Sequence, residues 1–376
     1  MALAVPKALE VPLYLGIRGV LSAPLVAGLE PSIEAARRIG RTYARARFNR
    51  KRVGRITKHL ETAFPERDEA ARRELVLHSY EHLAMLGVEV AFTPRLLTEE
   101  GWLRHVEFSG VGPGIRKLGA ERPLVFICGH GGNWEVLGYT MALIGFPFHA
   151  LYRPLDLKPL DTWVKQTRGR RGMVLVDKFG AIHEMPRIVK AGGHLGFVAD
   201  QNAGDRGVFV PYFGRLASTY KSIALTVMQF GATVVVGQAT RLDPARPDDP
   251  RAARPGQVGE GFSVLEPGPF RYRITLGDFF EAETWRAHPD PMFYICARFR
   301  KALEDMVRAT PEQYLWMHRV WKSRPKHEKN HEPMPASMVE KLRTLEWLSD
   351  EDVDRLVDQS ARDAAFLKET GTDRLV

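Results

Sequence analysis

The sequence predicts an α/β fold whose central sheet is mixed, largely parallel and flanked by helices. One observation is the alternation of short apolar strand patterns with helix patterns over residues 123–240, which a largely parallel sheet requires. Another is the composition, since 376 residues with 44% apolar and 10% aromatic side chains can bury a large core. We therefore expect one large domain with appendages.

The chain divides into three regions. Residues 1–100 are predicted to be helical and basic and to associate with a membrane. Residues 101–325 hold the α/β pattern, within which residues 243–261, rich in Pro, Arg, Asp and Gly, are expected to form a mobile excursion. Residues 326–376 form a polar linker and a helical tail. The tail is a docking element, a dimer element or a passive surface helix.

The most apolar N-terminal stretch runs from Val11 to Leu29. It is interrupted by Arg18 and Pro24, so it falls short of the ~18 uninterrupted apolar residues of a spanning helix. An interfacial or re-entrant segment is therefore favoured over a span. An ordinary helix packed on the domain is the alternative.

The excess positive charge is concentrated in one segment. Ten basic residues and no acidic residue lie between Arg37 and Lys58, whereas the whole chain has a formal net charge of +9. Apolar side chains are interleaved with the basic ones, which is typical of a helix that lies on anionic lipid head groups. An acidic protein would be attracted to the same surface. No helix-turn-helix, zinc-finger or stacking-aromatic signature supports a nucleic-acid partner.

The chain contains two cysteines, Cys128 and Cys296, which provide no disulfide framework. The N-terminus lacks a small-residue cleavage pattern after an unbroken apolar core. Both observations indicate a reducing, cytoplasmic location.

The strongest local pattern is the segment Cys128-Gly-His-Gly-Gly-Asn-Trp-Glu135, which follows a short apolar run. It predicts a strand, a tight loop and a helix capped by Asn133. On one helix His130 and Glu135 would point about 140° apart, but a strand-to-helix corner can bring them together. The two side chains then form a candidate general-base dyad. The alternative is a structural histidine at a strand end beside an acidic residue of the first helical turn.

This segment resembles the His-x4-Asp/Glu motif of the lysophospholipid acyltransferase superfamily. More narrowly, it is similar to the bacterial lipid A biosynthesis acyltransferase family of lauroyl and myristoyl transferases, to which phosphatidylinositol mannoside acyltransferases are related. The similarity extends over about residues 37–325. Three further blocks follow in the family's order, namely Tyr152-Arg-Pro154 with the arginines before Gly172, Ala199-Asp-Gln201, and Pro311 to Pro325.

The resemblance implies a glycerolipid acyltransferase-like α/β domain and an O-acyltransferase. Such an enzyme moves a fatty acyl group from an acyl thioester, on acyl carrier protein or coenzyme A, to a hydroxyl of a membrane glycolipid or lysophospholipid. His130 would be the base and Glu135 would orient it, and the acceptor would attack directly without an acyl-enzyme. The thioester is a co-substrate, and no metal or redox cofactor is implied. The implied location is the cytoplasmic face of the inner membrane, with peripheral or monotopic attachment.

The same blocks suggest substrate-binding residues. Carried over by position these are Arg153, Arg168, Arg171 and Asp200. Asp200 ends its strand on the edge expected to carry His130, so a supporting carboxylate is the alternative to a substrate contact. Guanidinium groups suit phosphate or a developing oxyanion. For the arginines near residue 170 the alternative is a solvated basic helix end.

The last block contains a helix-start signal. Thr310 as N-cap, Pro311 at the first helical position and Gln313 three residues after the cap form a capping-box pattern, so a helix is predicted from Pro311. Trp316 is expected to pack under the sheet. His318 is expected to border the site without being catalytic.

Two other functions compete with this prediction. Cys128 shares a strand face with His130 and could serve as the nucleophile of a Cys/His thioesterase. A catalytically silent lipid-binding or acyl-carrier-binding protein could retain the same scaffold. A metal hydrolase is disfavoured because the histidines do not follow a ligand spacing.

Overall fold

The computed structural model describes residues 6–110, 122–146, 148–242, 265 and 268–375. The excursion expected over residues 243–261 lies outside the described residues. Around the sheet, the helices in chain order are α1 Lys7–Ala27, α2 Leu29–Arg45, α3 Arg50–Ala63, α4 Glu69–Leu96, α5 Trp134–Leu143, α6 Lys158–Gly169, α7 Ala181–Lys190, α8 Lys221–Phe230, α9 Ala282–Arg286, α10 Pro291–Ala309, α11 Lys326–Lys329, α12 Ala336–Arg343 and α13 Asp350–Thr370.

A seven-stranded sheet runs through the described part of the chain in the order β1-β9-β8-β2-β5-β3-β4. Neighbouring strands are parallel except for β8 and β9, so the predicted α/β class is confirmed. A separate hairpin, β6–β7, follows β5. The strands are β1 Val106–Ser109, β2 Leu124–Cys128, β3 Phe148–Tyr152, β4 Val174–Asp177, β5 His194–Val198, β6 Val208–Tyr212, β7 Arg215–Thr219, β8 Thr233–Arg241 and β9 Tyr272–Phe280.

Strand β2 lies inside the sheet between β5 and β8 and connects two packed clusters. Val125 and Ile127 contribute to a cluster with α3, α4, α10 and the β6–β7 hairpin. Phe126 packs with side chains of α5 and β3 in a second cluster. Because successive strand side chains point to opposite faces, β2 is buried on both sides, which explains its uninterrupted apolar sequence. Its carboxyl end places the loop that begins at Gly129.

Helix α1 is continuous from Lys7 to Ala27, although Arg18 and Pro24 interrupt the apolar run in the sequence. Among the described residues, α1 is the one helix whose length and composition would allow it to cross a membrane. The Arg18 guanidinium lies 4.5 Å from the centre of the Trp163 ring on α6. This cation–π contact stabilises the charge of Arg18 within the apolar helix. Large apolar side chains are exposed along the helix, namely Leu9, Val11, Leu13, Leu15, Val20 and Val26.

The prediction of a helix that begins at Pro311 is wrong. Pro311–Gln313 form a single 3₁₀ turn, and Tyr314 is extended and forms an antiparallel bridge with Gly131. Gln313 does not cap a helix, because its side-chain amide bonds both backbone groups of Arg241 at 2.9 Å. This segment therefore fixes the loop after β2. Trp316 is buried as predicted.

Candidate active site

The loop between β2 and α5 is hydrogen-bonded to α5, to β8 and to Gln313, whose carbonyl accepts from the backbone N–H of Gly132 at 2.9 Å. Asn133 caps α5 as predicted, since its Oδ1 accepts from the backbone N–H of Val136 at 3.0 Å. The backbone N–H of Asn133 donates to the carbonyl of Ala239 at 2.8 Å. Gly132 has φ +57°, and a Cβ there would lie 2.1 Å from the Ala239 oxygen. Only glycine fits this position, so the loop has a defined conformation.

The imidazole of His130 is paired with the carboxylate of Asp200. Nδ1 lies 2.6 Å from Oδ1, and the backbone N–H of His130 donates to Oδ2 at 2.8 Å. A carboxylate only accepts hydrogen bonds, so this contact places the ring proton on Nδ1 and leaves the Nε2 lone pair for a substrate proton. The side chain of His130 is 15% exposed, whereas that of Asp200 is fully buried.

The pKa of Asp200 is held well below its ordinary value. Burial alone would raise that pKa, but the neighbouring His130 outweighs this effect by its charge and its two hydrogen bonds. Asp200 is therefore ionised at neutral pH. A buried anion beside Nδ1 stabilises an imidazolium when Nε2 takes up a proton.

Glu135 is paired with Arg168 instead of His130. The two side chains form a bidentate ion pair, with Nε of Arg168 donating to Oε2 at 2.8 Å and Nη2 donating to Oε1. Glu135 starts the first turn of α5, and from there its carboxylate reaches α6. The structure therefore brings Glu135 and Arg168 together, and the His130–Glu135 dyad stays a prediction.

A cavity of about 710 Å³ opens at the carboxyl edge of the sheet and includes both His130 and Glu135. Arg153 and Arg168 line it, whereas Arg171 does not and instead pairs with Glu99 at 3.1 Å. The interior wall is apolar and comes from β2 to β5 and α5. Its larger members include Phe126, Met141, Phe148, Met173, Leu175 and Phe197.

The aromatic ring of Phe148 lies across Gly196 of β5. A Cβ at Gly196 would lie 2.1 Å from Cζ of Phe148, so a side chain there would displace the ring. Phe148 is the first residue of β3, so its backbone lies at the end of the strand opposite to the carboxyl edge. A histidine with an available Nε2 thus lines a cavity whose wall is mainly apolar.

Comparison with known proteins agrees with this geometry. The model of the bacterial lipid A biosynthesis acyltransferase family matches residues 14–244. The chain belongs to the bacterial lipid A biosynthesis acyltransferase family. The lipid A biosynthesis lauroyltransferase of Escherichia coli K12 is 27% identical to it over 286 residues, which are 74% of this chain and 82% of the relative.

Two further relatives have similar coverage. The lipid A biosynthesis palmitoleoyltransferase of Escherichia coli K12 is 26% identical over 285 residues, which are 74% of this chain and 81% of the relative. The lipid A biosynthesis acyltransferase of Shigella flexneri gives the same identity and coverage. The chain is therefore an acyltransferase, and its relatives imply an acyl donor and a lipid acceptor.

Two side chains of the acyltransferase lie against His130, although neither was predicted as a catalytic or substrate-binding residue. Nε2 of Gln201 lies 3.3 Å from Nε2 of His130 and 3.4 Å from Nδ1 of His318. The two imidazole rings are 4.4 Å apart between centroids. Burial and the nearby His130 lower the pKa of His318 to about 4, so His318 is neutral at physiological pH. The sequence placed His318 only at the border of the site, which the structure supports.

Arg300 of the acyltransferase is a third unpredicted member. It is fully buried on α10, and its Nη1 donates to the backbone carbonyl of Asp200 at 2.7 Å. Its Nε donates to Oγ1 of Thr219 at 3.0 Å. The arginine thus holds the backbone of the residue whose carboxylate is paired with His130. Its helical spacing from the apolar residues Cys296 and Leu303 is the sequence signal that could have marked it as buried.

Cys128 lines the same cavity of the acyltransferase. Burial, followed by the negative charges of Asp200 and Glu135, raises the pKa of its thiol well above the ordinary value. A neutral thiol is a weak nucleophile. In the described ranges no group of three or more His, Cys, Asp or Glu side chains could hold a metal ion.

Proposed function

We propose that the protein transfers a fatty acyl group from an acyl thioester to a hydroxyl of a membrane glycolipid or lysophospholipid, with His130 as the general base. The observation that carries this proposal is the His130–Asp200 pair at the mouth of the apolar cavity. The relatives named for lipid A favour a lipid A-type glycolipid among the acceptors. The cavity suits the acyl chain, since apolar side chains dominate its interior wall.

In the proposed mechanism Nε2 of His130 takes the proton of the acceptor hydroxyl while the hydroxyl oxygen attacks the thioester carbonyl. Asp200 stabilises the resulting imidazolium. The tetrahedral intermediate then collapses, the C–S bond breaks, and the departing thiolate takes the proton from the imidazolium. The acyl group ends as an ester, so no acyl-enzyme forms and no cofactor is required beyond the thioester itself.

Glu135 is proposed to act through Arg168 in this mechanism. Glu135 binds the N–H of Nε and one N–H of Nη2, which leaves both N–H groups of Nη1 and the second N–H of Nη2 as donors in a fixed orientation. A fixed cation at the cavity can stabilise the oxyanion of the tetrahedral intermediate or a phosphate of the substrate. Arg153, which also lines the cavity, is proposed to contribute to binding of the same anionic groups. Arg171 is proposed to bind substrate only after leaving Glu99.

The function is tested by incubating the purified protein with extracted bacterial membrane lipids and one labelled donor, either acyl-acyl carrier protein or acyl-coenzyme A. We expect one acylated lipid by mass spectrometry, formed with one donor in clear preference. The mass of the product identifies the acceptor, and the incubation in which it forms identifies the donor. Folded protein that binds the donor but forms no product with either thioester would favour the silent binding function.

Membrane attachment is proposed to use α1 together with the basic segment that follows it. Apolar side chains of this segment are exposed, namely Ile39, Tyr43 and Phe48, which are 64%, 38% and 75% exposed. Exposed basic side chains surround them, among them Arg47, Arg50 and Lys51. This combination supports peripheral or monotopic binding to anionic lipid on the cytoplasmic face of the inner membrane.

The triple variant Arg47→Glu, Arg50→Glu, Lys51→Glu is expected to lose most of its preference for anionic over zwitterionic vesicles. Each basic residue near an anionic surface contributes about 1 kcal/mol, so the preference should fall about 100-fold at low salt. Vesicle co-sedimentation measures it. The matched control reverses three exposed lysines elsewhere, Lys190, Lys326 and Lys368. An unchanged lipid preference combined with a higher KM for acyl carrier protein would show that the segment binds the carrier instead.

Replacing Cys128 with alanine is expected to leave at least about half of the acyl-transfer rate. The thiol is neutral at physiological pH and is not needed when the acceptor attacks the thioester directly. Steady-state kinetics with the identified donor measure the effect, and buried Cys296→Ala is the control for loss of a thiol elsewhere. Loss of turnover in Cys128→Ala alone would support the thioesterase-like mechanism.

A further inference from the structure

The C-terminal tail, residues 326–375, is fastened to the domain by a buried ion network. The fully buried Arg324 donates from Nε to Oε2 of Glu328 at 2.6 Å and from Nη2 to Oδ2 of Asp363 at 2.8 Å. Asp363 lies on α13 and also pairs with Arg215 of β7 at 3.0 Å. Ser360 of α13 donates to Glu328 at 2.6 Å. Helix α13 is thus joined to both the hairpin and the end of the α/β domain.

The end of the tail is hydrogen-bonded to residues 322–324, the short segment that contains Arg324. Ser323 forms an antiparallel bridge with Arg374, and the backbone N–H of Leu375 donates to the carbonyl of Lys322 at 3.2 Å. The tail therefore packs against one side of the segment 322–324. The family match ends at residue 244, so the tail lies beyond it.

On its other side the segment 322–324 is hydrogen-bonded to Asn202, in the loop after β5. Asn202 donates from Nδ2 to Oγ of Ser323, and its Oδ1 accepts from the backbone N–H of Ser323, both at 3.2 Å. Asn202 is two residues after Asp200. A second route runs through the hairpin, because Nη1 of Arg324 donates to the carbonyl of Leu216 at 2.6 Å. The same strand β7 carries Thr219, which binds the arginine that holds Asp200.

We propose that the C-terminal tail is a brace that positions Asp200 and Gln201 against His130, with Asp363 and Asn202 as its positioning residues. The proposal rests on the proposed function for its meaning in catalysis. Asp363 acts on the segment 322–324 by neutralising Arg324, and Asn202 transmits the position of that segment to the loop after β5. The tail is then an internal part of the enzyme and more than a passive surface helix.

The test compares Asp363→Asn with Asp358→Asn in the full-length protein. Both lie on α13, but Asp358 is exposed and Asp363 is buried. Loosening a catalytic group by a fraction of an ångström to about 1 Å lowers turnover, so we expect kcat of Asp363→Asn to fall about tenfold or more with KM for the donor nearly unchanged. Asp358→Asn should match the wild type.

A second measurement does not depend on turnover. The Nδ1 proton of His130, bonded to Asp200, should give a downfield proton resonance in the wild type and in Asp358→Asn, and a broadened one in Asp363→Asn. If Asp363→Asn fails to fold, Asn202→Ala, which leaves the ion network intact, should show the same broadening and the same loss of kcat. Wild-type kcat and an unchanged resonance in folded Asp363→Asn or in Asn202→Ala would overturn the proposal. A wild type with the resonance but no acyl transfer would instead count against the proposed function.

Discussion

Replacing His130 with alanine is expected to lower the rate of acyl transfer by about 10²–10⁴-fold, the usual contribution of a general base. The variant keeps the apolar cavity and the Glu135–Arg168 ion pair, so donor binding should survive. Single-turnover kinetics with labelled thioester measure the chemical step directly. Circular dichroism and the thermal midpoint check that the variant is folded.

Asp200→Asn is the matched companion to this variant. The amide has almost the same shape as the carboxylate, but its nitrogen can donate to Nδ1, which would move the ring proton to Nε2 and remove the base. We therefore expect a loss approaching that of His130→Ala. The double variant should be scarcely slower than either single variant, because the two residues act as a unit. Full activity in folded His130→Ala would contradict the mechanism.

Replacing Arg241 with methionine is expected to destabilise the protein by about 3–5 kcal/mol, because it leaves the buried carboxylate of Glu89 without its partner. The two side chains are 3% and 0% exposed and are joined by two hydrogen bonds. Glu89 also accepts from Nδ2 of Asn133 at 2.8 Å, and Arg241 donates to Nδ1 of His82 at 3.1 Å. Equilibrium urea unfolding measures the change in the free energy of unfolding.

The control for this prediction is the double variant Glu89→Met with Arg241→Met. Removing both charges removes the unpaired ion, so the double variant should be more stable than the sum of the single effects predicts. Exposed Arg38→Met, whose partner Glu34 is also exposed, should change the free energy of unfolding by less than about 1 kcal/mol. A loss for Arg241→Met as small as that would show that the pair is not held as described.

The fold and the loop that carries His130 were predictable because both follow from local patterns. The apolar run of β2, the glycines after it and the Asn133 cap are adjacent in the sequence and act on their own neighbours. The carboxylate at Nδ1 was harder to choose. His130 and Asp200 are each two residues beyond the registered pair Cys128 and Val198 of β2 and β5. Strand register is a property of the sheet, which the spacing of one strand does not reveal.

The site residues that the sequence did not predict lie on segments far from His130 in the chain. Arg300 meets the backbone of Asp200 from a helix 100 residues later. The capping-box pattern at Thr310 failed for the same kind of reason, since Gln313 is taken by the backbone of Arg241. At Gln313 tertiary hydrogen bonds override a local preference, whereas the contact of Arg300 depends on chain topology that no local pattern encodes.

The contact between Phe148 and Gly196 lies at a different level of the sheet from the pair His130 and Asp200. His130 and Asp200 follow the carboxyl ends of β2 and β5, whereas Phe148 begins β3 and its ring lies across Gly196, two residues before the end of β5. Substitutions at Phe148 or Gly196 can alter which acyl chain fits the cavity while leaving His130 and Asp200 in place. Relatives can thus diverge in the fatty acid they transfer without rebuilding the chemistry that transfers it.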